Sequence, residues 1–332
     1  MADANLADVP AIGLGCMNLS HAYGSPPSRA DAEQVLLRAL DIGVRHFDSA
    51  ALYGFGKNEI LLGEVLRAHR DEIYLVSKGG MGGVDGVRVI DGRPETVLRM
   101  CEESLRSLQT DVIDLYYLHR RDKKVPIEES MGAMKTLLEQ GKIRAIGLSE
   151  VSADTLRKAH AVHPITAVQS EYSLWSRNVE MAVLDACTEL GATFVAFSPL
   201  ARGFLTDADI NPANFAEKDI RRGMPRFQEP HFSQNVKLLD GYRALAREAG
   251  CSAAQLALAW LLHRHPGIHV IPGTTSLSHL EENFQALNVS LPTELVSRVD
   301  NIVNASTVSG PRYNAATQAE IDTEEVELAV PA

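Results

Sequence analysis

An alternation constrains this 332-residue chain more than any single motif does. Short apolar runs of strand length recur, each followed by a polar or glycine-rich turn and then by apolar residues at helical spacing. The runs lie at 12–15, 44–48, 73–78, 112–119, 143–149, 167–172, 193–198 and 269–272. Helical stretches fall near 28–42, 60–66, 93–108, 127–140, 153–160, 179–190, 232–264 with a break around Gly250, and 278–287; Ser28 can cap the first. Eight strand–helix units, each with its helix, point to an α/β chain closed as a (β/α)8 TIM barrel, one domain over 1–332 with long loops at its C-terminal face. An open doubly wound sheet stays the alternative, since strand number does not exclude it.

No standard nucleotide fingerprint accompanies the alternation. Gly13 and Gly15, like Gly80 and Gly82, begin a Gly-x-Gly-x-x-Gly pattern without the third glycine in register. Gly56-Lys57-Asn58 lacks the final Ser or Thr of a phosphate loop. Any nucleotide binds by other means.

A net charge of −11 argues against a nucleic-acid partner, although a local basic pocket is still allowed. No apolar run approaches the roughly 18 residues that span a bilayer, and the first ten residues lack the pattern of a secretion signal. Four cysteines (Cys16, Cys101, Cys187, Cys251) without paired spacing suit reduced thiols. The expectation is a cytoplasmic protein with no membrane partner.

In a parallel barrel the chemistry sits where strands end, so the last residue of each run is the most informative. These residues are Gly15 and Cys16, Asp48, Lys78, His119, Ser149, Gln169, Ser198 and Gly273. Tyr53 leaves the same strand end as Asp48, just ahead of a helix. A phenol titrates near 10, so at neutral pH it donates a proton but does not readily take one back. An ammonium about 4 Å away stabilises its phenolate by roughly 4 kcal/mol before burial is subtracted. Asp48 can hold Lys78 charged, and His119 can orient a carbonyl oxygen or share its proton. The set is an oxyanion pocket with a tuned general acid, without a hydride source of its own.

The segment HFDSAALYGFGKNEILLGEVL (46–66), Asp48 with Tyr53, the strands ending at Lys78 and His119, Gly147 to Ser149, Gln169 to Tyr172 and FSPLARGFL (197–205) together resemble the aldo-keto reductase superfamily over 9–291. The phrases GLSEVS, VQSEYSLWSR, DIRRGMPRF and IPGTTSLSHLEEN are similar to its bacterial and fungal branch of broad carbonyl scope. The resemblance implies NAD(P)H-dependent reduction of an aldehyde or ketone by a monomer or small homo-oligomer. Tyr53 would be the proton donor, assisted by Lys78, Asp48 and His119. Ser149 and Gln169 fall where the carboxamide is held, Phe197 where a ring stacks on the nicotinamide, and Ser198, Leu200, Arg202 and Gly203 on the pyrophosphate loop.

Glu282 and Asn283 fit the pair that meets adenine. Gly273, Thr274, Thr275 and His279 occupy the 2'-phosphate stretch, where many relatives carry Lys or Arg; this leans to NADPH and leaves NADH open. Glu150 also departs, standing where many relatives have asparagine.

Simpler readings apply to several residues. Gly15, Cys16 and Met17 reach the mouth by position, as cofactor or substrate wall, yet buried Cys and Met more often pack. His263, His265 and His269 fit no metal spacing and lie at the far end of the barrel, so no metal is expected. Arg221, Arg222 and Arg226 lie in a segment too long for a plain connection, a lid or a solvated loop. The stretch 304–332 has no apolar periodicity and an acidic run; it is either disordered or folded over the mouth. On the family analogy Tyr23, Trp175 and Tyr313 form an aromatic substrate wall. The rival function is a redox-sensing subunit of the same fold, which binds NADP(H) with little turnover.

Overall fold

Parallel pairing builds the centre of the molecule. The computed structural model describes residues 5–84, 87–265 and 267–325. In chain order the strands are β1 (Leu14–Gly15), β2 (His46–Asp48), β3 (Tyr74–Gly79), β4 (Met81–Val84), β5 (Val87–Ile90), β6 (Leu115–Leu118), β7 (Ile146–Ser149), β8 (Ala167–Glu171), β9 (Thr193–Phe197) and β10 (Ile268–Ile271). Eight of them form one sheet in the order β1-β2-β3-β6-β7-β8-β9-β10. A parallel bridge between Ile12 and Val270 joins its two ends, with Gly13 donating to Val270 and Gly15 to Pro272. The expected (β/α)8 barrel is the fold.

Helices clothe the sheet: α1 (Arg29–Asp41), α2 (Lys57–Leu66), α3 (Pro94–Leu108), α4 (Ile127–Glu139), α5 (Ala153–Val162) and α6 (Val183–Leu190). Ser28 caps α1 by accepting from the Asp31 amide. The long helical stretch expected at 232–264 is three helices, α7 (His231–Val236), α8 (Leu239–Glu248) and α9 (Ala253–Arg264). Gly250 ends α8 in a left-handed conformation, and Ser252 opens α9 with a capping box. Then come α10 (Leu277–Gln285), α11 (Thr293–Ile302) and the short α12 (Ala315–Gln318). α11 lies beyond the last helix expected from sequence, and its Leu295, Val296 and Val299 bury at helical spacing. The glycine-rich stretch after β3, expected as a loop, is the antiparallel pair β4–β5.

Strand alternation divides the core into two layers. Tyr74, Val76, Leu115, Tyr117, Ala167, Val195 and Ile271 fill the barrel, and Leu6 and Val9 from the N-terminal turn join them. The intervening residues, such as Leu75, Tyr116 and Val168, pack outward against the helices. A Cβ on Gly147 would lie 2.4 Å from the Tyr117 ring, so glycine there makes room for an aromatic side chain inside the barrel.

The barrel also buries two histidines, His46 and His269, with ring centroids 6.3 Å apart. Neither ring nitrogen of His46 has a hydrogen-bond partner, nor has Nδ1 of His269. Burial lowers the His269 pKa to about 4, and burial with the neighbouring His269 and Lys78 charges holds His46 well below its usual value. Unfolding frees both to bind protons near 6.5, so stability is full above that pH and falls as pH drops toward 4. His269 alone contributes on the order of 3 kcal/mol across that window. Urea unfolding midpoints are therefore expected to fall steadily between pH 7 and pH 5; a flat profile would count against neutral burial of this pair.

Candidate active site

The alternation that fills the barrel also turns Asp48, Lys78, His119 and Gln169 inward where their strands end. Lys78, fully buried, donates to Asp48, to the Ser49 carbonyl at 2.8 Å and to the Tyr53 hydroxyl at 3.3 Å. Gln169 Nε2 donates to the other Asp48 oxygen at 2.7 Å, so both carboxylate oxygens are engaged. The Tyr53 ring meets His119 edge-on at 5.8 Å.

Local chain chemistry sets Tyr53 in place. Gly54, Phe55 and Gly56 follow it in left-handed conformations, turning the chain into α2. Asn58, in the first turn of α2, accepts from Ser49 Oγ at 2.7 Å and donates to the Cys16 carbonyl at 2.8 Å and to Ser20 Oγ at 2.9 Å. One buried amide thus ties the phenol's turn to the loop after β1.

Electrostatics refine the roles expected from sequence. Burial would lower the Lys78 pKa, but Asp48 and Tyr53 outweigh it and raise it, so the ammonium keeps its charge. For Tyr53 the balance differs: burial raises its pKa more than Lys78 lowers it. The phenol therefore holds its proton more firmly than the simple ammonium argument suggested, partly because Asp48 offsets Lys78. Burial, reinforced by Arg120 and Lys78, keeps the His119 pKa well below its usual value. His119 is therefore a neutral ring at neutral pH.

A cavity of about 920 Å3 opens beside this cluster, with Tyr53, His119, Phe197 and Asn283 among its lining residues. Its size lies toward the upper end for small-molecule clefts, which span roughly 300–1,000 Å3. Gly15, Met17, Asp48, Ser149, Gln169, Ser198, Leu200, Arg202 and Gly203 line it, and so do Gly273, Thr274, Thr275, His279, Glu282 and Asn283. Ser198, Ala201 and Arg202 all have positive φ, followed by Gly203 at 91°. Such concentrated backbone strain persists where a binding loop is over-determined by its surroundings.

Three of the residues singled out lie off the wall. Lys78 lies behind Tyr53, in contact with its hydroxyl. Cys16 is buried beside Met17, and burial pushes its thiol far above the usual range. Trp175, expected on the substrate wall with Tyr23 and Tyr313, stacks on Phe204 at 4.5 Å and lies under the Arg226 guanidinium. Tyr23 and Tyr313 do line the cavity. Two hydrogen bonds link them: Arg202 donates to Tyr313 at 3.1 Å and to Tyr23 at 3.5 Å.

Among known proteins, the model of the aldo/keto reductase family matches residues 11–304. The chain belongs to that family. Solved aldo-keto reductases share its fold at modest identity. A glycerol dehydrogenase from Gluconobacter oxydans is 28% identical, with 89% of this chain and 91% of that one covered and a TM-score of 0.81. An aldo-keto reductase from Bacillus halodurans in its holo form is 25% identical, with 92% and 96% covered and a TM-score of 0.76. An aldo/keto reductase from Klebsiella pneumoniae, in complex with NADP and acetate, is 28% identical, with 92% and 95% covered and a TM-score of 0.70.

In this aldo-keto reductase the described part of the C-terminal segment lies at the mouth, where Tyr313, Asn314 and Thr317 line the cavity. Arg312 grips both Glu150 oxygens, at 3.0 and 2.8 Å, and reaches Glu171 at 3.5 Å. Asp322 accepts from Arg121 at 2.8 Å and from Thr155 at 2.6 Å, and Asn178 donates to the Glu324 carbonyl at 2.9 Å. Glu150, the departure noted beside the carboxamide serine, is thus an anchor for the tail. Glu171 accepts from Arg202 at 2.8 Å and from Tyr313 at 3.0 Å. Against burial, the Arg202 and Arg312 charges hold its pKa down to about 2.

Of the long segment after β9, Arg221 lines the cavity and pairs with Asp219 at 2.7 Å, whereas Arg226 is buried beside Trp175. Arg222 is exposed and donates to the Phe215 carbonyl. Among the described residues no cluster of His, Cys, Asp and Glu has the makings of a metal site, and no helix is long and apolar enough to cross a membrane.

Proposed function

We propose that this protein reduces an aldehyde or ketone to the alcohol, with Tyr53 as proton donor and NADPH as cofactor. The observation that carries the proposal is the Tyr53 hydroxyl, 3.3 Å from a buried, charged Lys78, on the wall of a cavity of about 920 Å3. The cofactor, when bound, supplies the hydride. Tyr53 gives its proton to the carbonyl oxygen as charge develops there, and Lys78 stabilises the phenolate left behind. Neutral His119 orients the carbonyl oxygen, while Asp48 keeps Lys78 aimed.

The cavity's polar groups fit the cofactor along its length. Gln169 gives an amide hydrogen to Asp48, and its carbonyl oxygen is left to accept from a carboxamide, with Ser149 also on the wall. Phe197 offers a flat apolar face. The left-handed loop at 198–203 suits a pyrophosphate, and Asn283 and Glu282 suit adenine. Hydroxyls of Thr274 and Thr275, with His279 in the first turn of α10, suit a 2'-phosphate at a helix N-terminus. The Klebsiella relatives solved with NADP and with NADPH favour the same choice.

Titration with NADPH and NADH by fluorescence quenching, followed by a nicotinamide absorbance assay on a panel of aldehydes and ketones, tests this reading. Tighter binding of NADPH and turnover of at least one carbonyl are expected. Binding without turnover would shift the assignment to a redox-sensing subunit. Failure to bind either nucleotide would overturn the proposal.

A further inference from the structure

One cation on the cavity wall has no task in the reduction chemistry. Arg120 follows His119 directly and lines the cavity, half-buried. Its Nη1 donates to the His119 carbonyl at 2.6 Å and to Ser149 Oγ at 3.2 Å. The three other arginines on the wall have carboxylate partners: Arg202 pairs with Glu171, Arg221 with Asp219 and Arg88 with Glu320. Among the described residues, no carboxylate pairs with Arg120.

A half-buried guanidinium with one nitrogen engaged has donors left over on the cavity side, and the group that best fits them is a planar carboxylate. Arg120 lies close enough to the reacting groups to act on their charge: it helps depress His119 and works against the raised Tyr53 pKa. Arg88, on the hairpin over the same part of the mouth, adds to the positive field felt by His119. The nearest carboxylate of the tetrad, Asp48, is consumed by Lys78 and Gln169.

We propose that the preferred substrates are short oxo acids, compounds that carry a carboxylate a few bonds from the carbonyl to be reduced. The carboxylate sits on Arg120 while the carbonyl oxygen lies between Tyr53 and His119. Arg120 is then a specificity-determining residue. The inference rests on the reductase reading above and deepens it.

The test uses the full chain with NADPH and a short series of 2-oxo and ω-oxo acids, each beside its methyl ester. In the wild type, kcat/KM for at least one acid should exceed that for its ester by about tenfold to a hundredfold, the range of a charge-assisted contact. Raising the salt concentration should narrow the gap. Arg120→Gln should close it, chiefly through KM for the acid, with NADPH affinity changed by less than about threefold. Arg120→Lys, which keeps the charge but loses the fork, should retain part of it.

Esters reduced as well as acids by the wild type would overturn this proposal and leave the reductase reading standing. So would an Arg120→Gln variant that loses acids and esters alike while its NADPH affinity drops, since Arg120 would then serve the cofactor. If NADPH binds and neither acids nor esters turn over while another aldehyde or ketone does, this proposal fails and the reductase reading stands; if no carbonyl of the wider panel turns over, both fail. Should Arg120→Gln not fold, the wild-type ratio and its salt dependence decide.

Discussion

Replacing Tyr53 with phenylalanine is expected to lower kcat for carbonyl reduction by about 10²- to 10⁴-fold, the contribution of a well-placed general acid. The ring, its contact with His119 and the turn that carries it survive the substitution; only the hydroxyl that meets Lys78 at 3.3 Å is removed. Tyr53 is partly exposed to the cavity and its hydroxyl is a single polar atom, so folding stability should change by well under the total. NADPH affinity should stay within a few-fold, because the contacts proposed for the cofactor are made by other residues of the cavity wall. Steady-state kinetics beside a cofactor titration separate the two effects. A Tyr53→Phe protein with wild-type turnover would remove the phenol from the chemistry.

The second large effect concerns stability. Lys78→Met strips the counter-charge from Asp48, which is 1% exposed inside the barrel. Breaking one partner of a buried pair costs roughly 3–5 kcal/mol, because the remaining charge has no solvent to turn to. For a chain of this size the melting midpoint should fall on the order of 10 °C. Adding Asp48→Asn to make the double variant removes the stranded charge and should recover most of the midpoint, while activity stays lost in both. Thermal melts of the two variants show it directly. An unchanged midpoint in the single variant would mean that the pair is far better solvated than its burial implies.

The barrel and the polar cluster at its mouth were legible because each depends on a local pattern. Strand alternation places Asp48, Lys78 and Gln169 on the inner face of β2, β3 and β8 and His119 just past the end of β6, and no long-range information is needed to see it. Elements that depend on partners far away in sequence were not legible. The β4–β5 hairpin is hidden by Gly80, Gly82 and Gly83, which lower strand propensity although the two halves pair in register from Met81↔Ile90 to Val84↔Val87.

The tail reads as unstructured because its anchors are ionic, set by Arg312, Asp322 and Glu324 rather than by apolar periodicity. Glu150 and Glu171 give no local sign that both meet Arg312. Trp175 was placed by analogy on the substrate wall, but Phe204, Phe227 and Arg226 hold its ring in the packing beneath. Cys16 missed the cavity by one position, since Met17 takes the inward-facing place.

The seam between Ile12 and Val270 carries a consequence for biogenesis. Its partners are 258 residues apart (270 − 12), so the first strand leaves the ribosome long before the strand that completes it. At about 20 residues per second, the upper end of synthesis rates, that wait is at least ~13 s. Through that interval the nascent sheet has two unpaired edges, the sort of surface that invites edge-to-edge association. Closure is a long-range event whose entropic cost falls late, when little chain is left to emerge. A cell making this protein has to shield an open half-barrel for most of its translation.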